Sequence, residues 1–243
     1  MNQQVKFLVL IIIILILSGC KTSSDIKIDD QNKLSEQEIK DGWQLLFDGN
    51  TAEKWRSFHK TQLESGWAVE NGELIALGSG SDSSGDIITK DQFENFELIL
   101  DWKISEGGNS GIFYGVLEDG FTRLYETGPE YQLIDDVNFP EKLEEWQKCG
   151  ADYAMHNAGE NKKLKTVGEW NTSKIVVNDS LVQHWLNGDK ILEFKRWTKD
   201  WFDKAQNGKW KDYPSYGLAK KGHLGLQDHG NKIWFRNIKI KNL

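Results

Sequence analysis

From Trp43 to Leu243 the chain alternates apolar and polar residues over short runs, the period-two pattern of half-buried strands. GWQLLFDG, GWAVENGELIALG, NFELILDWKIS, SGIFYGVL, EYQLIDD, SKIVVNDSLVQHWLNGDKILEF and the final IWFRNIKIKN are rich in aromatic and β-branched residues. Gly, Asn and Asp separate them, and three prolines in the whole chain leave the ladders largely uninterrupted. Asn187-Gly188 in WLNGDKIL suits a tight hairpin because both residues tolerate positive φ, and EDG, ENG and VNDS are further turn signals. Helical pattern is confined to LSEQEIKDG, after a Ser cap, and PEKLEEWQKCG, which opens with Pro and closes with Gly. About a dozen strands joined by long excursions predict an all-β, two-sheet antiparallel sandwich. Alternate residues are then buried between the sheets, and the outer face of one concave sheet is free for a ligand.

The amino-terminal end departs from this pattern. MNQQVKFLVLIIIILILSGC carries one Lys, a continuous apolar run and then Leu17-Ser18-Gly19-Cys20. Phe7 to Leu17 is shorter than the ~20 residues that span a bilayer and fits the apolar core of a secretory signal. LSGC resembles a bacterial lipobox, whose Cys becomes the lipid-bearing first residue; a plain signal or short anchor is the alternative. The polar stretch that follows reads as a tether. The expected organisation is a lipoprotein signal over 1–20, a flexible tether over 21–40 and one domain over 41–243. Such a protein is exported and held to the cell envelope through Cys20. Lipidation leaves Cys149 without a mate, so a disulfide framework is excluded. A net charge of −7 without a basic stripe argues against nucleic acid as a partner.

Alternation sorts the candidate chemistry by face. In GPEYQLIDD, Tyr131 and Leu133 point into the core, leaving Glu130 and Gln132 on the other side. In HLGLQDHG, Leu224 and Leu226 point in, so Gln227 and His229 face outward while Asp228 and Gly230 shape a turn. In NSGIFYGV, Ile112 and Tyr114 point in and Asn109 and Phe113 out. His184 and Trp185 face opposite ways, and Trp170 opens a strand. Each residue also has a plainer reading. His229 is then a turn residue, Glu130 an ion-pair partner of Arg236 or Arg123, His184 a strand-surface histidine and Trp170 a core filler. Asp135-Asp136 is either a turn, an orienter of a histidine or a holder of a divalent ion. No His or Cys pair has zinc spacing; a loop-bound Ca²⁺ would be ordinary in such a sandwich, and the metal assignment stays open.

GWQLLFDGNTAEKW, GGNSGIFYGV, GPEYQLIDD, GEWNTSKIVVNDSLVQHWLNGDKILEF and GHLGLQDHGNKIWFRNIKI, in that order, resemble the 3-keto-disaccharide hydrolase family, also named for 3-keto-glucoside 1,2-lyase and 3-keto-2-hydroxyglucal hydratase activity. The resemblance spans Gly42 to Leu243 and implies a jelly-roll sandwich of the concanavalin A-like lectin/glucanase type. It departs at Gly115, where many relatives carry Arg, and His156 lies in a variable segment to which no role is transferred. The resemblance implies a substrate oxidised at C3 by a separate glycoside 3-oxidase. Its C2 proton is abstracted, the C1 substituent is eliminated and water then adds. His229 and Glu130 are the candidate proton-transfer groups. Gln132, Gln227, Asn109, Trp170, His184 and Asp135 are the candidate substrate contacts, because amides pair with hydroxyls and an aromatic face covers a pyranose. A divalent metal is an alternative way to polarise the ketone. Two rivals stand beside this reading. A conventional glycosidase needs two carboxylates, here Glu130 and Glu169; a non-catalytic sugar-binding module needs neither.

Overall fold

The computed structural model describes residues 31–78 and 85–243. The expected signal, Cys20 and the first half of the expected tether lie outside the described residues. The compact unit begins at Gln31, ahead of the Asp41 expected. The second half of that tether belongs to the fold because it has polar partners there. Asn32 donates its backbone N–H to Asn237 Oδ1 at 2.6 Å, and Asn237 N–H returns a bond to Asn32 Oδ1 at 2.7 Å. Helix α1 (Glu36–Lys40) follows, capped by Ser35 in a capping box with Glu38, whose carboxylate also pairs with Lys239.

Thirteen strands follow among the described residues. They are β1 (Trp43–Leu45), β2 (Trp55–Ser57), β3 (Trp67–Glu70), β4 (Glu73–Leu77), β5 (Ile87–Thr89), β6 (Phe96–Ile104) and β7 (Asn109–Val116). Then come β8 (Glu130–Ile134), β9 (Asn171–Asn178), β10 (Leu181–Leu186), β11 (Asp189–Lys195), β12 (His223–Leu226) and β13 (Lys232–Asn242). An eight-stranded sheet runs β11-β10-β9-β6-β13-β4-β3 with β1 also paired to β13, and a five-stranded sheet runs β2-β5-β12-β7-β8. Every pairing is antiparallel. The fold is an all-β, two-sheet antiparallel jelly-roll sandwich of the concanavalin A-like type.

Two of the three Asn-Gly pairs make two-residue hairpins. Asn71 and Gly72 join β3 to β4, and Asn187 and Gly188 join β10 to β11, all four with positive φ. The core lies between the sheets. Phe96, Leu98, Leu100, Trp102 and Ile104 of β6 meet Ile112, Tyr114, Tyr131, Leu133, Leu224 and Leu226 of the smaller sheet. Trp102 is fully buried, and its indole N–H donates to Ser173 Oγ at 2.9 Å, so no donor is stranded. On the outer side of the small sheet, Phe113, Ile88, Val116 and Leu124 form a second apolar cluster.

The helical expectations are met unevenly. The PEKLEEWQKCG segment makes only a 3₁₀ turn, Glu145–Gln147. The longest described helix, α2 (Lys199–Asn207), comes from a stretch with no predicted helix. Thr198 caps it, accepting a bond from Trp201 N–H at 3.2 Å, and Trp201 and Ala205 bury its inner face.

The Asn32 clip should be worth measuring. Asn32→Ala removes the side-chain half of the exchange with Asn237 and the bond to Gly72 O at 2.9 Å. We expect a loss of about 1–3 kcal/mol in urea unfolding; unchanged stability would show that this segment is only appended to the fold.

Candidate active site

Alternation on three neighbouring strands places five of the predicted residues around one cavity of about 220 Å³ on the outer face of the five-stranded sheet. Glu130 and Gln132 project from β8, Asn109 from the start of β7, and Gln227 and His229 from the segment just past β12. Gln132 Nε2 donates to Asn109 Oδ1 at 3.0 Å, which fixes both amides. The Gln227 backbone is locked by Gly111 O and Ser110 Oγ at 3.0 and 2.8 Å. Its side chain is buried, and its Oε1 has no hydrogen-bond partner among the described residues. Asp228 turns the chain as expected: Gly230 N–H donates to Asp228 Oδ1 at 3.1 Å, and Gly230 takes φ +87°. His229 is left half-exposed at the cavity.

Glu130 is the unusual group. It is 6% exposed. Its carboxylate fits because β7 has no side chain at Gly111, where a Cβ would collide with it. Burial pushes its pKa up to about 8; the Lys209 charge opposes the shift, and Asp86 and Asp152 add to it. Arg236, one of its suggested partners, instead lies 3.5 Å from Asp101 on the larger sheet.

The rest of the cavity was not read from the sequence. Tyr125, Tyr153, Lys209, Trp210 and Tyr213 form its aromatic and cationic side. Tyr153 arrives on the segment that covers the edge of β8, with Gln132 N–H bonded to Ala151 O, Gly150 N–H to Gln132 O and Tyr153 N–H to Glu130 O. Lys209 and Trp210 sit on the 3₁₀ turn Lys209–Asp212 just after α2. Trp210 stacks on Tyr216 at 4.2 Å, and Tyr216 on Trp201 at 5.9 Å. For Lys209, Trp210 and Tyr213 the signal is the aromatic density of WFDKAQNGKWKDYPSYG behind a Thr cap.

Three predicted contacts lie elsewhere. His184 points between the sheets, not to the surface: it is fully buried against Tyr131 at 4.6 Å, with Nδ1 3.0 Å from Gly150 O. Burial pushes its pKa down to about 4, so it stays neutral. Trp170 lies on the outer face of the larger sheet under the Arg236 guanidinium, 3.9 Å from the ring centroid, and Lys103 at 4.6 Å. Asp135 ends β8 and closes a loop. It accepts from the backbone N–H groups of Gly107, Val137 and Asn138 at 3.0–3.1 Å. Burial raises its pKa, but these bonds outweigh that and hold it below the ordinary value. Glu169, the second carboxylate nominated for a glycosidase, is exposed in a turn and bonded to Thr166.

Gly115 does not line the cavity. It has φ +67° beside the irregularity in the β7–β12 register, a conformation that disfavours an Arg. Among the described residues no group of three or more His, Cys, Asp or Glu side chains is arranged to hold a metal ion.

A recessed carboxylic acid beside amides, a histidine and aromatic rings, on the open sheet of a jelly roll, makes this cavity the candidate functional site. Comparison with known proteins identifies the family. Residues 42–241 match the 3-keto-alpha-glucoside-1,2-lyase-like domain, and the chain belongs to that family of carbohydrate-active enzymes. It is 34% identical to a 3-keto-disaccharide hydrolase of Bacteroides thetaiotaomicron, over 91% of this chain and 85% of the relative. Two crystal structures of proposed glycosyl hydrolases from Parabacteroides distasonis share the fold. One has a TM-score of 0.82 at 42% identity, covering 88% of this chain and 99% of its own; the other has 0.63 at 30%, covering 83% and 99%.

The Glu130 proton has a consequence for stability. Between about 4.5 and about 8 the folded protein keeps a proton that the unfolded chain has released. Its contribution is therefore intact below the unfolded value and lost as pH rises through the folded one. Glu130→Gln removes that dependence. Its stability relative to the parent should grow by a few kcal/mol, in order of magnitude, between pH about 5 and pH about 9 in urea titrations; a constant difference would contradict a buried, protonated Glu130.

Proposed function

We propose that the protein cleaves 3-keto-glucosides by elimination and rehydration. The observation that carries this reading is that Glu130, with a pKa near 8, is the one carboxylate among the described residues lining the cavity. Glycoside hydrolysis by displacement asks for a second carboxylate within about 5–9.5 Å. Elimination asks instead for one acid, one base and donors for an oxyanion.

At neutral pH Glu130 carries a proton and acts as the acid, which leaves His229 as the base. His229 takes the proton from C2. The C2–H electron pair forms C2=C3, and the ketone π pair moves onto the C3 oxygen. As the carbonyl re-forms, C1=C2 forms, the C1–O bond breaks and the departing oxygen takes the proton of Glu130. Water then adds in reverse. The Glu130 carboxylate removes a water proton as hydroxide bonds to C1, and the His229 imidazolium returns a proton to C2. Both groups recover their starting states, and the net change is hydrolysis. Asn109, Gln132 and Gln227 hold the ring hydroxyls, with the unpartnered Gln227 Oε1 available to accept from one of them. The small cavity suits one sugar ring, flanked by Tyr125, Tyr153 and Tyr213.

The proposal also takes the protein to be exported and anchored through a lipid on Cys20, and its substrate to come from a separate oxidase acting at C3. Among the described residues no helix is long and apolar enough to cross a membrane.

Incubation with a glucoside and its 3-keto analogue in D₂O, followed by NMR at C2, tests the reaction. The keto sugar should lose its C2–H signal and be cleaved, while the unoxidised glucoside stays intact. Cleavage should decline as pH rises past about 8, where Glu130 loses its proton. Glu130→Gln should lower the rate by about 10²–10⁴. Hydrolysis of the unoxidised glucoside would mark a conventional glycosidase, and binding without turnover a sugar-binding module.

A further inference from the structure

The proposed reaction builds negative charge on the C3 oxygen, and neither proton-transfer group neutralises it. The aromatic side of the cavity holds one cation, Lys209. Its ammonium lies 4.1 Å from the centroid of the Tyr153 ring and 5.4 Å from that of Trp210. It makes no ion pair within 4.0 Å among the described residues, unlike Lys103, Lys162 and Lys239, which each meet a carboxylate. Aromatic faces attract a cation without taking up its directed N–H bonds. The charge is therefore held in place with donors still available to the cavity.

The backbone that presents Lys209 is fixed by packing. α2 is anchored by the fully buried Trp201. At Gly208 a Cβ would crowd Lys204 O, and the chain enters the 3₁₀ turn there. Trp210 is clamped within the Trp210–Tyr216–Trp201 stack, and its indole N–H donates to Tyr153 O at 3.3 Å. The residue ahead of so constrained a ring has little freedom to leave the site.

We propose that Lys209 is a catalytic residue, the donor that binds the C3 oxygen and takes up its charge when the C2 proton leaves. It forms and breaks no covalent bond and keeps its own protons. A preorganised donor in a water-poor site is worth more to the enolate, which carries a full charge, than to the neutral ketone. Lys209 also favours a C3 carbonyl over a C3 hydroxyl, because an ammonium offers only donors and gains most from the more polarised acceptor. The inference rests on the elimination reading, and adds to it the group that selects an oxidised sugar.

Lys209→Met retains an apolar stem over Tyr153 and removes the charge; Lys209→Arg keeps it. With thermal unfolding as a check on folding, Lys209→Met should lower kcat for the 3-keto-glucoside by about 10²–10³ and change KM much less. Lys209→Arg should recover part of the loss. The Met variant should also lose C2–H exchange in D₂O, and its alkaline limb should move to higher pH, because the Lys209 charge holds the Glu130 pKa down. If the parent exchanges and cleaves while a folded Lys209→Met does so within a few-fold, the Lys209 role is wrong and the reaction stands. If the parent neither exchanges nor cleaves the keto sugar, the reaction is wrong and the role falls with it.

Discussion

The desolvation of one carboxyl group governs the chemistry proposed for this molecule. The Glu130 carboxyl packs against β7 at Gly111, where a Cβ would collide with it, and shares its cavity with rings from three separate segments. Its pKa rises mainly through burial. A buried carboxyl with no hydrogen bond to favour its charged form keeps its proton. The sandwich tolerates that because the rigid β7–β8 pairing fixes the group, with Phe113 opposite Glu130 and Gly111 opposite Gln132. A proton donor at neutral pH is what departure of a sugar oxygen calls for.

The two sheets have different duties. The larger one supplies the inner apolar wall and covers its outer face with tryptophans beneath lysines and arginine, several of which are also ion-paired. Those rings already carry cations on their faces. The smaller sheet carries the candidate site on its outer side, and the aromatic half of the lining comes from connecting segments, as rigid scaffolds commonly arrange it. The aromatic stack behind Trp210 packs helix α2 against the cavity's aromatic side, and the Trp210 indole N–H bond to Tyr153 O ties the two together.

Much of this was legible in the sequence wherever period two applied. Alternation placed Glu130, Gln132, Asn109, Gln227 and His229 on one face, and Asn-Gly dipeptides marked two hairpins. It failed where position within the sandwich, not face, decides the environment. His184 alternates correctly, but its side of β10 is the inter-sheet side. Trp170 precedes its strand on the sheet that lies away from the cavity. Asp135 stands at a strand end, where nearby backbone N–H groups claim a carboxylate first. The loop residues Tyr125, Tyr153, Lys209 and Tyr213 follow no period, and α2 was hidden by its aromatic content. Asn32 reaches its partner Asn237 across nearly the whole chain, a contact that no local pattern encodes.

The central claim is that Glu130 enters the reaction with its proton. Side-chain NMR of protein labelled with ¹³C at the glutamate carboxyls, compared with the same spectra of Glu130→Gln, reads that proton directly. The Glu130 resonance should titrate with a midpoint near 8. A midpoint in the ordinary range near 4.5 would contradict the account, because the group would then be a carboxylate throughout the neutral range.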